Sequence, residues 1–233
     1  MKRLTWKHIV VINIVLILVI IGGFYIKKLI GESYRYDELI KNGYSYMDKG
    51  QWKPAVNEFA EAARIKPDSY DPHYGGGAAL LKLKQMDKAA VVLENAVRIN
   101  PEAIEAHYSL GITYHRMGNL DLAVREYREV LRLNPQSFQV YNSLGGIFIA
   151  QKKYDEAITM FNRALELKPD YYLVYLNIGR TYEIMGKKGD AVKTYKDLIM
   201  LAEKAPESGK LMDAAKQRID IIGGKKVPVK KGK

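Results

Sequence analysis

The sequence predicts an all-α protein: a right-handed α-solenoid of about five helix hairpins, preceded by a single transmembrane helix and closed by a C-terminal capping helix. Three observations carry this prediction. Prolines recur every 34 residues, at Pro67, Pro101, Pro135 and Pro169. Because proline lacks a backbone N–H and disfavours a helical residue before it, each one marks the end of a helix. An uncharged stretch over 9–26 precedes these repeats, and an amphipathic stretch over 208–222 follows them.

Composition and charge limit the classes of function. The chain has 233 residues, no cysteine and a net charge of +11. Residues 1–30 and 223–233 carry +5 each, which leaves +1 on the body between them. A nearly neutral body argues against a polyanion-binding face, so we expect no nucleic-acid partner. The lack of cysteine excludes disulfides and thiolate metal sites.

Residues 9–30 are predicted to form a transmembrane anchor behind a basic flank, residues 1–8. As a helix, the uncharged run 9–26 is about 27 Å long, close to the hydrocarbon thickness of a bilayer. Trp6 and Tyr25 lie at its edges, where aromatic rings favour the membrane interface. A cleaved signal peptide has a shorter apolar core and a small-residue cleavage site. A cleaved signal peptide and a buried soluble helix are therefore the alternative interpretations of this run.

The cations on either side of the anchor bear on its orientation. Lys2, Arg3 and Lys7 precede the run, and Lys27 and Lys28 follow it. The positive-inside rule then slightly favours an internal N-terminus. We therefore expect a single-pass protein of a bacterial inner membrane with the repeats outside the cytoplasm. An orientation in which the repeats face the cytosol stays open.

The proline spacing divides the body of the chain into five repeats: 36–69, 70–103, 104–137, 138–171 and 172–205. A glycine recurs in the first half of each repeat: Gly43, Gly77, Gly111, Gly145 and Gly179. An alanine opens each second half, at Ala55, Ala89, Ala123, Ala157 and Ala191, and a bulky residue follows four positions later. Glycine inside a helix costs about 1 kcal/mol relative to alanine, so its recurrence indicates a close helix crossing.

These residues resemble the tetratricopeptide repeat (TPR) family, whose 34-residue pattern is W-x2-L-G-x2-Y, then A-x3-F, then P. The consensus tryptophan is replaced here by Leu39, His73, His107, Tyr141 and Tyr175. The resemblance implies stacked helix hairpins, because no single repeat can bury its apolar face alone. The turn glycine is replaced by Lys84 and Lys152 in two repeats, and the run Gly75–Gly77 is predicted to loosen its helix.

A capping helix is predicted over 208–222. Leu211, Ala215, Ile219 and Ile222 recur with helical spacing, and Ser208 is the candidate N-cap. Such a helix covers the apolar face of the last repeat. The lysine-rich tail 223–233 is predicted to be disordered.

No catalytic or metal site is predicted, and we expect neither enzyme activity nor a cofactor. The chain has no phosphate-binding loop, dinucleotide fingerprint, H-E-x-x-H or G-x-S-x-G motif. His73 and His107 occupy the same repeat position, so packing explains them. His115 does not share a helix face with His107.

The TPR resemblance implies a concave groove that binds partner proteins and is lined by positions 2, 5, 9, 12 and 13 of each repeat, with position 6 often contributing. Carried onto this chain, the groove prediction comprises Ile40, Tyr44, Tyr74, Lys82, Tyr108, Ile112, Arg116, Asn142, Asn177 and Arg180. Tyrosine offers a large contact area with a polar tip. Packing of some of these residues against the neighbouring repeat is the alternative.

The predicted function is a membrane-tethered scaffold whose groove binds peptide or helical segments of proteins and recruits them into a membrane-associated assembly. Its membrane contact is residues 9–30, and homo-oligomerisation through stacking of repeats stays open. The alternative is an electrostatic adaptor whose lysine-rich tail binds anionic lipid or nucleic acid.

Overall fold

The structure is a computed structural model that describes residues 6–203, 205 and 208–225, with side chains from residue 19 onward. Its regular structure within these ranges is helical, which confirms the all-α prediction. The helices are α1 (Trp6–Asp48), α2 (Trp52–Ile65), α3 (Tyr70–Lys82), α4 (Met86–Ile99), α5 (Ile104–Met117), α6 (Leu120–Leu133), α7 (Phe138–Ala150), α8 (Tyr154–Leu167), α9 (Tyr172–Ile184), α10 (Lys188–Ala202) and α11 (Gly209–Ile222).

The chain divides into two compact units, Met1–Ser109 and Leu110–Lys233. The first unit holds α1 to α4 and the start of α5. The second holds the rest of α5 and the helices up to α11. Each unit is built from hairpins in which a first helix packs against the second helix that follows it.

The first helix of each hairpin ends in the same hydrogen-bonded turn. After α1, the Gly50 N–H donates to the Met47 carbonyl at 2.9 Å, and the Gln51 N–H donates to the Tyr46 carbonyl at 2.8 Å. This is the Schellman arrangement, which satisfies carbonyls at the helix end. Equivalent pairs of bonds follow α3, α5, α7 and α9.

Two of these turns place lysine in a backbone conformation that favours glycine. Lys84 has a φ of 59° and Lys152 a φ of 62°, close to the 69° of Gly50. The turn is therefore kept when glycine is absent, although the left-handed conformation costs a residue with a Cβ about 1 kcal/mol.

The side chain at position 4 of a repeat forms a hydrogen bond with the carbonyl of the proline near the end of the preceding repeat. The pairs are His73 Nε2 with Pro67 O at 2.7 Å, His107 Nε2 with Pro101 O at 3.0 Å, and the Tyr141 hydroxyl with Pro135 O at 3.3 Å. Because a carbonyl only accepts, the ring N–H or the hydroxyl donates in each pair. These histidines therefore act in the joints between repeats.

Close helix crossings in the first unit depend on glycine. Phe59 of α2 is fully buried. A Cβ on Gly43 of α1 would lie 2.7 Å from the Phe59 ring, and one on Gly75 of α3 would lie 2.4 Å from it. A Cβ on Gly77 would lie 2.6 Å from Leu93. The helix α3 is continuous through the glycine run, where these glycines make room for Phe59 and Leu93, and its predicted loosening stays a prediction.

The second unit repeats this packing three times. An added Cβ would lie 2.7 Å from the ring on the second helix at Gly111, 2.4 Å at Gly145 and 2.3 Å at Gly179. The rings are those of Tyr127, Phe161 and Tyr195, all at most 1% exposed. One buried ring per hairpin therefore holds each pair of helices together.

The first helix, α1, is continuous over 43 residues. From Tyr36 onward it packs into the first unit, where the Tyr36 hydroxyl is 2.5 Å from Ser69 Oγ. In the part of the chain whose side chains the structure describes, no helix is both long enough and apolar enough to cross a bilayer. The predicted transmembrane helix over 9–30 is thus not supported, and the side chains of 9–18 lie outside the described set. So do residues 1–5 of the predicted basic flank.

The last helix, α11, packs its apolar side chains against α9 and α10, around buried Tyr195 and Ala215. Ser208 is the N-cap residue of α11, as predicted, but its side chain makes no capping hydrogen bond to the helix. The Ser208 hydroxyl lies 2.8 Å from Ala202 O and 2.6 Å from Ala205 O, so it donates back toward the end of α10.

A hydrogen-bonded turn follows α11. Gly224 has a φ of 81°, and the Lys225 N–H donates to the Asp220 carbonyl at 2.9 Å, which completes a Schellman turn. The predicted disorder of the tail over 223–233 stays a prediction, and residues 226–233 lie outside the described chain.

Candidate functional site: the faces of the first helices

In the first unit, positions predicted to line the groove carry tyrosine and acidic side chains on α1, α3 and α5. We call these the acidic tyrosine face and define it by Asp37, Tyr44, Asp71, Tyr74, Glu105 and Tyr108. The three acids are exposed, and the three tyrosines are partly buried. The acids are spaced by 34 residues, so they hold one position in three successive repeats.

Ring contacts hold the tyrosines of this face in place. Tyr74 stacks on Tyr70, with ring centroids 5.5 Å apart, and its side chain is hydrogen-bonded to Ser109. Tyr44 meets the edge of Phe59 with centroids 5.1 Å apart. The groove prediction did not include Tyr70, because family positions carry no information about a ring stack within one helix.

The acids act electrostatically on these tyrosines. Burial first, and then the charge of Asp71, raise the pKa of Tyr44 to about 12. Burial and then the charge of Glu105 raise the pKa of Tyr74. Each tyrosine therefore stays neutral at physiological pH within the field of a carboxylate from the next repeat. Asp37, Asp71 and Glu105 form no salt bridge with any residue that the structure describes.

Two other predicted groove residues of the first unit point to structural roles. Ile40 packs against the buried cluster around Phe59. Lys82 is exposed, but its ammonium lies 5.8 Å from the centroid of the Trp52 ring on α2. Lys82 therefore contacts the neighbouring repeat, which is the packing alternative that the sequence left open, whereas Ile40 packs against the cluster around Phe59 of its own repeat.

In the second unit, the two predicted groove asparagines are hydrogen-bonded to each other. Asn177 Nδ2 on α9 donates to Asn142 Oδ1 on α7 at 3.0 Å, and both side chains are partly buried. The two amides thereby link neighbouring first helices. A role for either amide in binding a partner stays a prediction.

The last repeat uses Glu183 of α9 to hold α11. The Tyr195 hydroxyl donates to Glu183 Oε1 at 2.5 Å, Arg218 Nε donates to the same oxygen at 2.9 Å, and Arg218 Nη2 donates to Oε2. Burial raises the pKa of Glu183, but the hydrogen bonds from Arg218 and Tyr195 outweigh burial and lower this pKa overall. Repeat positions do not predict this pair, because Arg218 lies outside the repeats.

The remaining predicted groove residues include two exposed cations. Arg116 and Arg180 are exposed on α5 and α9, and Ile112 is partly buried. Burial and then the charge of Arg116 lower the pKa of His115, so its ring is neutral at pH 7. Among predicted groove positions, the second unit therefore exposes the cations Arg116 and Arg180, and the first exposes three acids together with the cation Lys82.

Two surface cavities lie away from these residues. One of about 490 Å³ in the first unit is lined mainly by Val56, Leu80, Val91 and Val92. Another of about 240 Å³ in the second unit lies between α8, α9 and α10. Neither includes a predicted groove residue. In the part of the chain described, no cluster of three His, Cys, Asp or Glu side chains could hold a metal ion.

Models of one repeat family match most of the region between α3 and α11. Two models described as tetratricopeptide repeat match residues 108–172 and 148–215, and one described as TPR repeat matches residues 77–118. A search of curated proteins found no match.

Solved structures of MamA proteins have a similar fold. One from Desulfovibrio magneticus RS-1 is 18% identical with a TM-score of 0.71, covering 74% of this chain and 97% of that chain. At this identity the likeness concerns the fold alone. MamA AMB-1 and MamA MSR-1 are 29% and 28% identical, each with a TM-score of 0.65, and cover 74% and 76% of this chain and 99% of their own. The chain belongs to the TPR family, because it has the 34-residue register, the close crossings of glycine and a buried ring, and the matches to the family models.

Proposed function

We propose that this protein is a membrane-tethered scaffold that binds segments of partner proteins on the faces of its first helices. TPR proteins bind other proteins, and the family match supports this class of function. The single observation that carries the proposal is the acidic tyrosine face, where three partly buried tyrosines and three exposed acids without a salt bridge to any described residue hold groove positions of the first unit. A surface of this kind offers both contact area and hydrogen-bonding groups to a partner.

The membrane tether rests on the amino-acid sequence. The run 9–26 is uncharged, and its described part exposes large apolar side chains: Val19 at 66%, Ile20 at 68%, Phe24 at 70% and Ile26 at 62%. Apolar side chains exposed on several sides of one helix favour contact with lipid, since a single protein groove covers one side only.

A crosslinking experiment in native membranes tests the scaffold. The full chain would carry a photo-reactive amino acid at Tyr74, with a matched chain carrying it at the exposed Thr159 of α8. We expect one defined partner segment to crosslink from Tyr74 and not from Thr159. Equal crosslinking from both positions, or none from Tyr74, would contradict the scaffold proposal.

The tether is tested separately by extracting membranes with alkaline carbonate. The full chain should stay with the membrane, and a chain lacking residues 2–30 should be released. Release of both would refute the tether and leave the binding face untouched. Deleting 224–233 in the same assay tests the tail adaptor, which predicts that the deletion alone reduces retention.

A further inference from the structure

The charges on the acidic tyrosine face limit the class of partner that this face could bind. Its three acids hold one repeat position on α1, α3 and α5. Asp71 and Glu105 lie in the first turns of their helices, where a carboxylate favours the helix dipole. Asp37 lies deep inside the long helix α1, so the dipole does not explain it. An acid shared by all three helices therefore indicates a common surface role.

The aromatic rings beside these acids suit a cationic ligand as well as an apolar one. A cation over a tyrosine ring is attracted by the ring electrons. The first unit already holds one such contact, since the Lys66 ammonium lies 4.1 Å from the centroid of the Tyr36 ring. The described acids of the face have no salt-bridge partner among described residues, so their charge is available to a ligand.

We propose that the acidic tyrosine face binds an extended segment of a partner protein that bears lysine or arginine about every third residue. This rests on the proposed function and specifies the partner's chemistry. Packed helices lie about 8–10 Å apart, and an extended chain in the polyproline II conformation rises about 3.1 Å per residue and returns to the same side every three residues. Every third side chain can therefore reach the acid of the next first helix, while the residues between lie on the tyrosines.

The test measures binding of a labelled peptide to the full chain in detergent. The probe is an extended peptide with lysine at every third position, compared with peptides that carry glutamine or glutamate there. We expect the lysine peptide alone to bind, with an affinity that falls several-fold between about 50 and 200 mM salt because the charges are exposed. Equal binding of the glutamine peptide, or no binding of the lysine peptide, would overturn the proposal.

Matched variants locate the binding charges. The triple variant Asp37→Asn, Asp71→Asn, Glu105→Gln should weaken lysine-peptide binding about tenfold, as expected for three exposed ion pairs. The control variant Asp68→Asn, Asp87→Asn, Asp155→Asn removes the same charge from exposed acids elsewhere, and should bind nearly as tightly as the wild type. An equal loss in both variants would mean that net charge alone attracts the peptide, and would overturn the assignment to this face.

Two further outcomes separate related ideas. The lysine-rich tail of the chain is itself basic. If deleting 224–233 tightens peptide binding more than tenfold, the tail occupies the face and the partner proposal is overturned. If Tyr74 crosslinks a partner segment that lacks basic residues, the scaffold function stands and the charge-based inference fails.

Discussion

The first helices of the two units occupy equivalent repeat positions but use their polar side chains differently. In the first unit, Asp37, Asp71 and Glu105 stay exposed without a described salt bridge. In the second, Asn142 bonds Asn177, and Glu183 bonds Arg218 and Tyr195. The second unit therefore uses Asn142, Asn177 and Glu183 to link its helices and to hold α11, whereas the acids of the first unit stay available to a ligand.

This difference separates two roles that one repeat pattern can serve. Helix packing is the same in both units, since each hairpin places a buried side chain against a glycine or a small residue. The two units differ only in the polar side chains that take no part in this packing. The following predictions test whether packing is shared and whether the polar groups are used differently.

The largest effect is expected at the glycine crossings. Gly145→Ala brings a Cβ within 2.4 Å of the Phe161 ring, and Gly43→Ala brings one within 2.7 Å of the Phe59 ring. Each should lower the free energy of unfolding by about 3 kcal/mol because of overpacking. The free energy of unfolding is measured by urea denaturation that is monitored with circular dichroism.

The neighbouring glycine supplies the control for this prediction. A Cβ on Gly146 meets nothing within 4 Å. Gly146→Ala should therefore raise stability by about 0.5–1 kcal/mol through helix propensity. If Gly43→Ala were tolerated while Gly145→Ala was not, the packing of the two units would not be equivalent.

A smaller effect is expected where the second unit pairs its polar groups. Glu183→Gln should lower stability by about 2 kcal/mol, because Arg218 loses a charged partner. Asp71→Asn in the first unit should change stability by less than about 0.5 kcal/mol, since this acid is exposed and unpaired among described residues. Equal effects of the two substitutions would contradict the contrast between the units.

The pH dependence of stability sharpens this prediction. The pKa of Glu183 is lowered in the folded state, so its stabilising contribution is present above the usual value of 4.5 and is lost as the pH falls through the folded value. The stability difference between wild type and Glu183→Gln should therefore be largest near pH 7 and should shrink below pH 4.5. Denaturation curves across that pH range measure it, and a constant difference would argue against the ionised pair.

The smallest effect concerns the two lysine turns, one in each unit. Lys84→Gly and Lys152→Gly should each raise stability by about 0.5–1 kcal/mol, because glycine adopts a positive φ without strain. The gains should be similar in both units if the turns are equivalent. The control Lys153→Gly changes the next residue, whose conformation does not require glycine, and should give no gain.

Much of the helix packing could be predicted from residue spacing. The positions of Gly145 and Phe161 follow from the 34-residue register, because a recurrent glycine opposite a recurrent bulky residue indicates a close crossing. Local backbone detail was harder to predict. The Ser208 hydroxyl turns back to α10, because that choice depends on carbonyls brought close by the turn.

The candidate site could be predicted only as a set of positions. Family positions placed Tyr44, Tyr74 and Asn142 on first helices, but not their contacts. The stack of Tyr74 on Tyr70 and the bond from Asn177 to Asn142 arise from side-chain conformations within and between helices. Such conformations depend on neighbours that are distant in the sequence, so a repeat pattern does not reveal them.

The sequence by itself determined the all-α class, the register of the helices and the glycines that allow them to cross, because steric limits at a crossing recur with the repeat. Only the tertiary structure decided how the polar side chains are used. Asp71 stays exposed. Glu183 becomes paired because the packing of α11 brings Arg218, which is 35 residues away in the chain, against α9. A pairing of this kind depends on distances in space, which the order of residues does not specify.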